Sequence, residues 1–134
     1  MSKPVQLSVT CPHCNESFMT ESRYINNEAT IKVMISNPQG EKGFIWLSSI
    51  YGDYNFSTKI KFQEGEVIEF YCPHCEKSLS AKNEKCDLCE APIVRMDCTI
   101  GGTLSICSRS GCKKHYVVFE DLESTIKKFY EEFG

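Results

Sequence analysis

Apolar and polar residues alternate in short runs along the first half of the chain. In the clearest run, Ile31, Val33 and Ile35 fall on one face, which is the pattern of a half-buried β-strand. The predicted strands of this half are 5–9, 30–35, 43–47, 56–62 and 67–71. Residues 15–28 are polar without a clear period, so they are predicted to form a loop. The pattern therefore predicts a small antiparallel meander over about residues 28–71.

Alternation continues in the second half, with predicted strands at 93–98, 103–107 and 115–119. Gly101 and Gly102 form the predicted hairpin turn between the first two of these strands. Residues 121–133 predict a helix, because Asp121 suits an N-cap and apolar residues then recur at helical spacing. These apolar residues are Leu122, Ile126, Phe129 and Phe133. The chain is thus expected to be mostly β, a small α+β fold with an inserted meander and one C-terminal helix.

Eight of the nine cysteines form four closely spaced pairs, which we call knuckles 1 to 4. Knuckles 1 to 3 have C-x2-C spacing, which lets two thiolates converge on one ion while backbone amides point at the sulfurs. Two knuckles together complete a tetrahedral site. The predicted metal ligands are Cys11, Cys14, Cys72, Cys75, Cys86, Cys89, Cys107 and Cys112. The sequence therefore predicts two four-thiolate sites that hold two structural zinc ions.

The stretch from Cys86 to Cys112 resembles a zinc ribbon, in which two knuckles at the ends of β-hairpins share one zinc. Its order of knuckle, hairpin and C-S-x-x-G-C is similar to the C-terminal zinc ribbons of type IA topoisomerases. Those ribbons use a basic surface with aromatic residues to hold single-stranded DNA. The first two knuckles are similar to a ribbon with a long β insertion, so the whole chain resembles a double zinc ribbon. Knuckles 1 to 3 depart from the commonest pattern, because Asn15, Glu76 and Glu90 stand where glycine usually follows the second cysteine.

The four knuckles could combine in two ways. Sequential pairing joins knuckle 1 to 2 and knuckle 3 to 4, whereas nested pairing joins knuckle 2 to 3 and knuckle 1 to 4. Sequential pairing is favoured because a ribbon site needs the hairpin between Cys89 and Cys107. Residues 1–75 would then form one zinc-ribbon lobe with the sheet insertion. Residues 76–134 would form a second ribbon with the helix, and the two lobes could make one compact unit.

Several residues near the knuckles have open roles. His115 follows Cys112 at C-x2-H spacing and could replace one thiolate. His13 and His74 lie inside knuckles 1 and 2, and they are expected to face solvent or tune the sulfurs, not to bind metal. Cys98 is the cysteine left over, and it is expected to be a small buried hydrophobe.

Three surfaces are candidates for binding a partner: the aromatic loop of the inserted sheet, the basic residues at knuckle 4, and the predicted terminal helix. Residues 48–55 combine aromatic and turn residues in a way that suits an interface. Basic residues crowd knuckle 4, namely Arg109, Lys113 and Lys114. Residues 72–119 carry only seven basic against five acidic residues, and the chain has a net charge of -3. This thin basic excess favours a solvated face over a strong phosphate-binding surface.

The N-terminus has no apolar signal core, and no apolar run approaches the roughly 20 residues of a membrane span. The chain is therefore expected to be cytoplasmic, without a membrane partner. A reducing compartment favours metal-held thiolates over disulfides.

The first functional hypothesis is a non-catalytic protein with structural zinc that acts through protein contacts, as an accessory or assembly subunit. Four thiolates leave no open position for water, so no enzyme activity and no small-molecule substrate are expected. The second hypothesis is a zinc ribbon that binds nucleic acid. The third is an iron electron-transfer protein like rubredoxin, because tetrahedral sulfur also accepts iron.

Overall fold

A computed structural model describes residues 6–51, 53–99, 101–112 and 115–118 of the chain. These residues form ten β-strands in two five-stranded antiparallel sheets. The strands are β1 (Val9–Thr10), β2 (Met19–Ile25), β3 (Glu28–Ser36), β4 (Lys42–Ser48), β5 (Phe56–Thr58), β6 (Glu69–Tyr71), β7 (Ser80–Lys85), β8 (Pro92–Cys98), β9 (Thr103–Cys107) and β10 (His115–Val118).

The first sheet contains three strands of the predicted meander in sequence order, β3-β4-β5, and adds β2, which the sequence did not predict. The last predicted strand, β6, does not continue the meander, because it pairs with β3. Strand β2 pairs with the first part of β3, where Met19 lies opposite Ile31, and β6 pairs with the last part, where Phe70 lies opposite Ile35. One long strand therefore carries two short strands end to end along the same edge.

The second sheet repeats this arrangement around β8. Its path is β1-β8-β9-β10, and β7 pairs with β8 beside β1. Ser80 of β7 lies opposite Val94, and Val9 of β1 lies opposite Cys98. Strand β8 is therefore the counterpart of β3, again with two short strands along one edge.

The two sheets correspond strand by strand: β1 to β6, β2 to β7, β3 to β8, β4 to β9 and β5 to β10. The hydrogen bonds repeat as well, since the Phe18 amide donates to the Val9 carbonyl at 3.0 Å and the Leu79 amide donates to the Phe70 carbonyl at 2.8 Å. Strand β1 pairs in the second sheet, whereas β6 pairs in the first. The chain is thus two similar halves that exchange their first strands about an approximate twofold axis.

The inner faces of both sheets build one hydrophobic core. Ile31, Val33 and Ile35 are each at most 1% exposed, as their alternation predicts. Val94 and Met96 contribute the matching face of β8 and are fully buried. Burying each such side chain is worth roughly 1.5–3 kcal/mol, so this core holds the two sheets together.

The predicted α+β class is wrong for the described residues, which form sheets and no helix. The mostly β part of that prediction is confirmed. The α component was based only on the apolar spacing in residues 121–133, and these lie outside the described residues. Among the described residues, no helix has the length and apolar character needed to cross a membrane.

The loop predicted for residues 15–28 is also wrong, because β2 occupies half of it. This strand lies at a sheet edge, and its register shifts between Thr20 and Tyr24. A bulge breaks the two-residue alternation, which hides the strand from pattern analysis. Its counterpart β7 has the same kind of shift between Ser80 and Lys85, in a segment that is polar except for Ala81.

Candidate metal centres

The first site lies where the two halves exchange strands. Knuckle 1 connects β1 to β2, and knuckle 2 connects β6 to β7. Both knuckles thus sit at equivalent places about the approximate twofold axis. The four sulfurs of Cys11, Cys14, Cys72 and Cys75 lie within 4.8 Å of one another.

The sulfur distances in the first site match a tetrahedral ion. Cys11 Sγ lies 3.8 Å from Cys75 Sγ, and Cys14 Sγ lies 3.7 Å from Cys72 Sγ. Four sulfurs about 2.3 Å from a central zinc would be about 3.8 Å apart. A disulfide needs about 2.05 Å, so these contacts join separate thiols.

The second site lies at one end of the second sheet. Knuckle 3 connects β7 to β8, and knuckle 4 begins at Cys107, the last residue of β9. Cys86 Sγ lies 3.8 Å from Cys112 Sγ, and Cys89 Sγ lies 3.3 Å from Cys107 Sγ. All four sulfurs again lie within 4.8 Å of one another. The structure therefore has the sequential pairing that the sequence favoured, with two groups that could each hold a metal ion.

Backbone amides point at the first sulfur of each knuckle. The His13 and His74 amides donate to Cys11 and Cys72, both at 3.3 Å. Knuckle 3 has the same contact from the Leu88 amide at 3.4 Å. Such bonds favour the thiolate form, which is the form that binds metal.

In knuckles 1 to 3, the residue that stands in place of glycine adopts the backbone conformation that glycine usually provides. Asn15, Glu76 and Glu90 adopt φ values of 64°, 61° and 64°, in the left-handed region where glycine is usual. The Glu76 amide donates to the Cys72 carbonyl at 2.9 Å, which closes the knuckle turn. The knuckle turn therefore has its usual geometry, but it is formed by residues whose Cβ atom makes the left-handed conformation unfavourable.

The cysteines of each site differ in how readily they ionise. Burial raises the pKa of Cys72 to about 12, although nearby amides act in the opposite direction. The Lys77 amide lowers the pKa of Cys75, and the Ala91 amide lowers that of Cys89 to about 6. A metal ion would supply the positive charge that the buried thiolate lacks, so loading the sites must release protons.

The two knuckle histidines have a role that the sequence did not reveal. His13 Nε2 donates to the Ser78 carbonyl at 3.1 Å, and His74 Nε2 donates to the Ser17 carbonyl at 3.3 Å. Each histidine thus reaches across to the opposite half beside the first site. The repeated Cys-Pro-His-Cys sequence was the available signal, because two identical knuckles on one ion allow reciprocal contacts.

Cys98 and Arg109 do not belong to the two sulfur groups. Cys98 is buried on β8, as expected, and burial raises its pKa to about 11, with the Asp97 charge adding to the effect. The side chain of His115 lies outside the described part of the structure. Arg109 does not project from knuckle 4, since its guanidinium donates to the Gly65 and Cys89 carbonyls at 2.8 Å and 3.4 Å.

The first sheet has a polar cluster where the second has knuckle 4. Ser48 ends β4 as Cys107 ends β9, and these strands correspond. The Ser48 hydroxyl donates to Asp53 Oδ2 at 2.8 Å, and Asn26 and Asn55 also donate to this carboxylate. Burial opposes ionisation of Asp53, but these hydrogen bonds outweigh it and lower its pKa. At the end of β4, hydrogen bonds to Asp53 therefore stabilise the first half where a sulfur group lies in the second.

Comparison with protein-family models, curated proteins and solved structures finds no match. The class of the protein therefore follows from its own architecture. Its described residues form two strand-exchanged, all-β halves with two four-cysteine groups, which are consistent with zinc-ribbon-like sites and could hold two metal ions.

Proposed function

We propose that the protein is a non-catalytic accessory subunit in which two structural zinc ions hold a surface that binds another protein. Both sulfur groups use four thiolates, a set that fills a tetrahedral ion and leaves no position for water or substrate. A reducing, cytoplasmic setting belongs to the same proposal, because it keeps the thiols available to metal.

A cleft between the two sheets carries the proposal. Its volume is about 210 Å³, and its walls are mostly apolar side chains from both sheets. These include Leu47, Phe62, Phe70, Leu104 and Ile106. Tyr54 and Phe56 line the cleft from the loop and strand β5, and they are 43% and 49% exposed. Exposed aromatic side chains beside an apolar cleft are typical of binding sites for an anchoring side chain of a partner.

Two of the aromatic side chains that line this cleft are held in place by contact with each other. Phe56 stacks on Phe62, with ring centroids 5.8 Å apart and an interplanar angle of 28°. Tyr51, in the same loop, is 42% exposed. This supports the interface predicted for residues 48–55 and extends it to Phe56. A preformed aromatic pocket loses little entropy on binding.

Affinity purification from the native host tests the proposal. The tagged chain should retain one partner in constant stoichiometry, and Phe56→Ser should reduce its recovery at least fivefold. Tyr24→Ser is the control, because Tyr24 is 60% exposed and lies outside the cleft. Both variants must bind as much metal as the unchanged chain. Recovery of no stable partner, or equal loss with both variants, would contradict the proposal.

Elemental analysis of the purified protein tests which metal it binds and how many ions it holds. We expect about two zinc ions per chain and a colourless protein, because zinc has a filled d shell. A red protein with iron in the sulfur groups would instead support electron transfer.

A further inference from the structure

The outer face of the first sheet carries a set of aromatic and basic side chains that the proposed protein contact does not use. Ile31, Val33 and Ile35 point into the core, so Lys32 and Met34 lie on the opposite face of β3. The register places further rings and cations beside them. We call this set the cationic aromatic face, and it consists of Arg23, Lys32, Lys42, Phe44, Trp46 and Tyr71.

Each cation on this face lies over an aromatic ring. The Arg23 guanidinium lies 3.9 Å from the centre of the Trp46 ring. Lys32 Nζ lies 4.3 Å from the Phe44 ring. Lys42 Nζ lies 5.4 Å from the Tyr71 ring. The rings and positive charges therefore alternate over the sheet within reach of one ligand.

The charges on this face are not neutralised by neighbours. No carboxylate among the described residues lies within 4 Å of Arg23, Lys32 or Lys42. Acidic residues lie around this face: Glu21 is two residues before Arg23 on β2, Glu41 adjoins Lys42, and two more lie at the ends of β3. Glu28 begins that strand, and Glu69 lies opposite its last residue, where Ser78 and Ser80 donate to its carboxylate. The centre of the face is thus basic although the chain has a net charge of -3.

The second sheet shows that the fold does not need these side chains. Lys32 corresponds to Arg95, because their amides donate to the equivalent carbonyls of Phe18 and Leu79. Trp46, which lies opposite Lys32, therefore corresponds to Ser105, which lies opposite Arg95.

The same comparison holds for the other two rings. Phe44 lies opposite Met34, and its counterpart opposite Asp97 is Thr103. Tyr71 also lies opposite Met34, and its counterpart is Thr10. Small polar side chains suffice at all three positions of the second sheet. The aromatic rings of the first sheet thus need an explanation other than stability.

We infer that the cationic aromatic face binds single-stranded nucleic acid. Phe44 is 41% exposed and offers a stacking surface for bases, Trp46 and Tyr71 are half-buried beside it, and the cations next to these rings attract phosphates. The Arg23 plane over Trp46 offers a further stacking surface. An acidic protein segment would satisfy the cations but leave the rings in water, whereas a single strand occupies both. The site is on the inserted sheet, away from the hairpin of residues 86–112.

Fluorescence anisotropy with labelled dT15 and rU15 at 20 mM salt tests this inference. Both strands should bind, and a blunt DNA duplex should bind more weakly, because its bases cannot stack on the rings. The logarithm of affinity should fall with the logarithm of salt with a slope of about -2, from three phosphate contacts. Preference for dT15 or rU15 then tells whether the ligand is DNA or RNA.

Matched variants make the test specific. Phe44→Ala should weaken binding by about tenfold, the loss expected for one stacked base. Lys32→Gln should weaken it and reduce the salt slope by about 0.7. Arg95→Gln is the control, because it removes the corresponding charge from the second sheet and should leave binding unchanged. All variants must keep two metal ions and the circular dichroism of the unchanged chain.

Three results would overturn the inference. The first is no binding of either strand at 20 mM salt. The second is an equal effect of Lys32→Gln and Arg95→Gln, which would indicate general charge attraction. The third is binding of a labelled polyglutamate peptide in preference to dT15 and rU15, which would assign the face to an acidic protein segment.

Discussion

At the scale of single residues, the knuckle turns use side chains in the left-handed backbone region. Glu76 and Glu90 have φ values of 61° and 64°, which cost a residue with a Cβ atom roughly 1 kcal/mol. Asn15 adopts a similar conformation, which asparagine tolerates better than glutamate does. These two glutamates are therefore places where the sequence is not optimised for stability.

Replacing these glutamates with glycine should stabilise the protein. Glu76→Gly and Glu90→Gly should each raise the free energy of unfolding by up to about 1 kcal/mol, and Asn15→Gly by less. Glu16→Gly is the control, because Glu16 lacks a positive φ. This variant should have a free energy of unfolding lower by roughly 0.5 kcal/mol. Denaturant unfolding of the metal-loaded protein measures the changes. A loss of stability in all four variants would contradict the assignment of strain.

Asp53 is a second residue whose contribution can be isolated. Asp53→Asn should destabilise the protein by about 1–3 kcal/mol at pH 7, because the donors of Ser48, Asn26 and Asn55 lose a charged acceptor. Asp97→Asn removes the same charge from β8 and serves as the control.

The pH dependence of Asp53 follows from its lowered pKa. A carboxyl group with a lowered pKa stabilises the fold above its ordinary pKa of about 3.9, and this stabilisation is lost as pH falls through the lowered value. The difference between the unchanged chain and Asp53→Asn should therefore stay constant from pH 8 to pH 6. A difference that shrinks within that range would show that another group titrates.

At the scale of elements, the sequence identified strands that alternate and missed those that do not. Strands β3, β4, β8 and β9 were predicted because one face of each is buried in the core. Strands β2 and β7 were missed because each contains a register shift and lies at an edge. Sequence spacing identified the eight clustered cysteines, but it could not show that β1 and β6 are exchanged between the two sheets. That exchange depends on long-range pairing, which local periodicity does not encode.

The reciprocal histidines connect two of these elements, and their loss should affect one site only. His13→Ala and His74→Ala should each cost about 1 kcal/mol, the net value of one hydrogen bond. A chromophoric chelator should then remove metal from the first site several times faster, while release from the second site keeps its rate. The second site is thus a control within the same molecule. Equal acceleration at both sites would show a general loss of stability instead.

At the scale of the whole molecule, the two candidate metal sites differ in how much of the fold each one holds together. The first joins both halves beside the main core. In the second, Cys86 and Cys107 pack with Ala91 and Ile93 in a small separate cluster. Loss of the first site should therefore loosen the interface between the halves. Loss of the second should loosen only one end of the second sheet.

Two matched substitutions test this difference. Cys14→Ser should abolish cooperative thermal unfolding, because knuckle 1 and knuckle 2 then lack a shared ion. Cys89→Ser should leave a cooperative transition and one bound metal ion. Hydrogen exchange should show β1 and β6 still protected in Cys89→Ser and exchanging freely in Cys14→Ser. Identical behaviour of the two variants would mean that the sites contribute equally.

The exchange of first strands also bears on where such a fold could originate. One half supplies five strands but only two of the four sulfurs of the first site, so it cannot complete that site or its own sheet alone. Two copies of one half would complete both, with a single ion on their symmetry axis. The chain therefore has the architecture that a symmetric homodimer would have if its two subunits were joined in one chain.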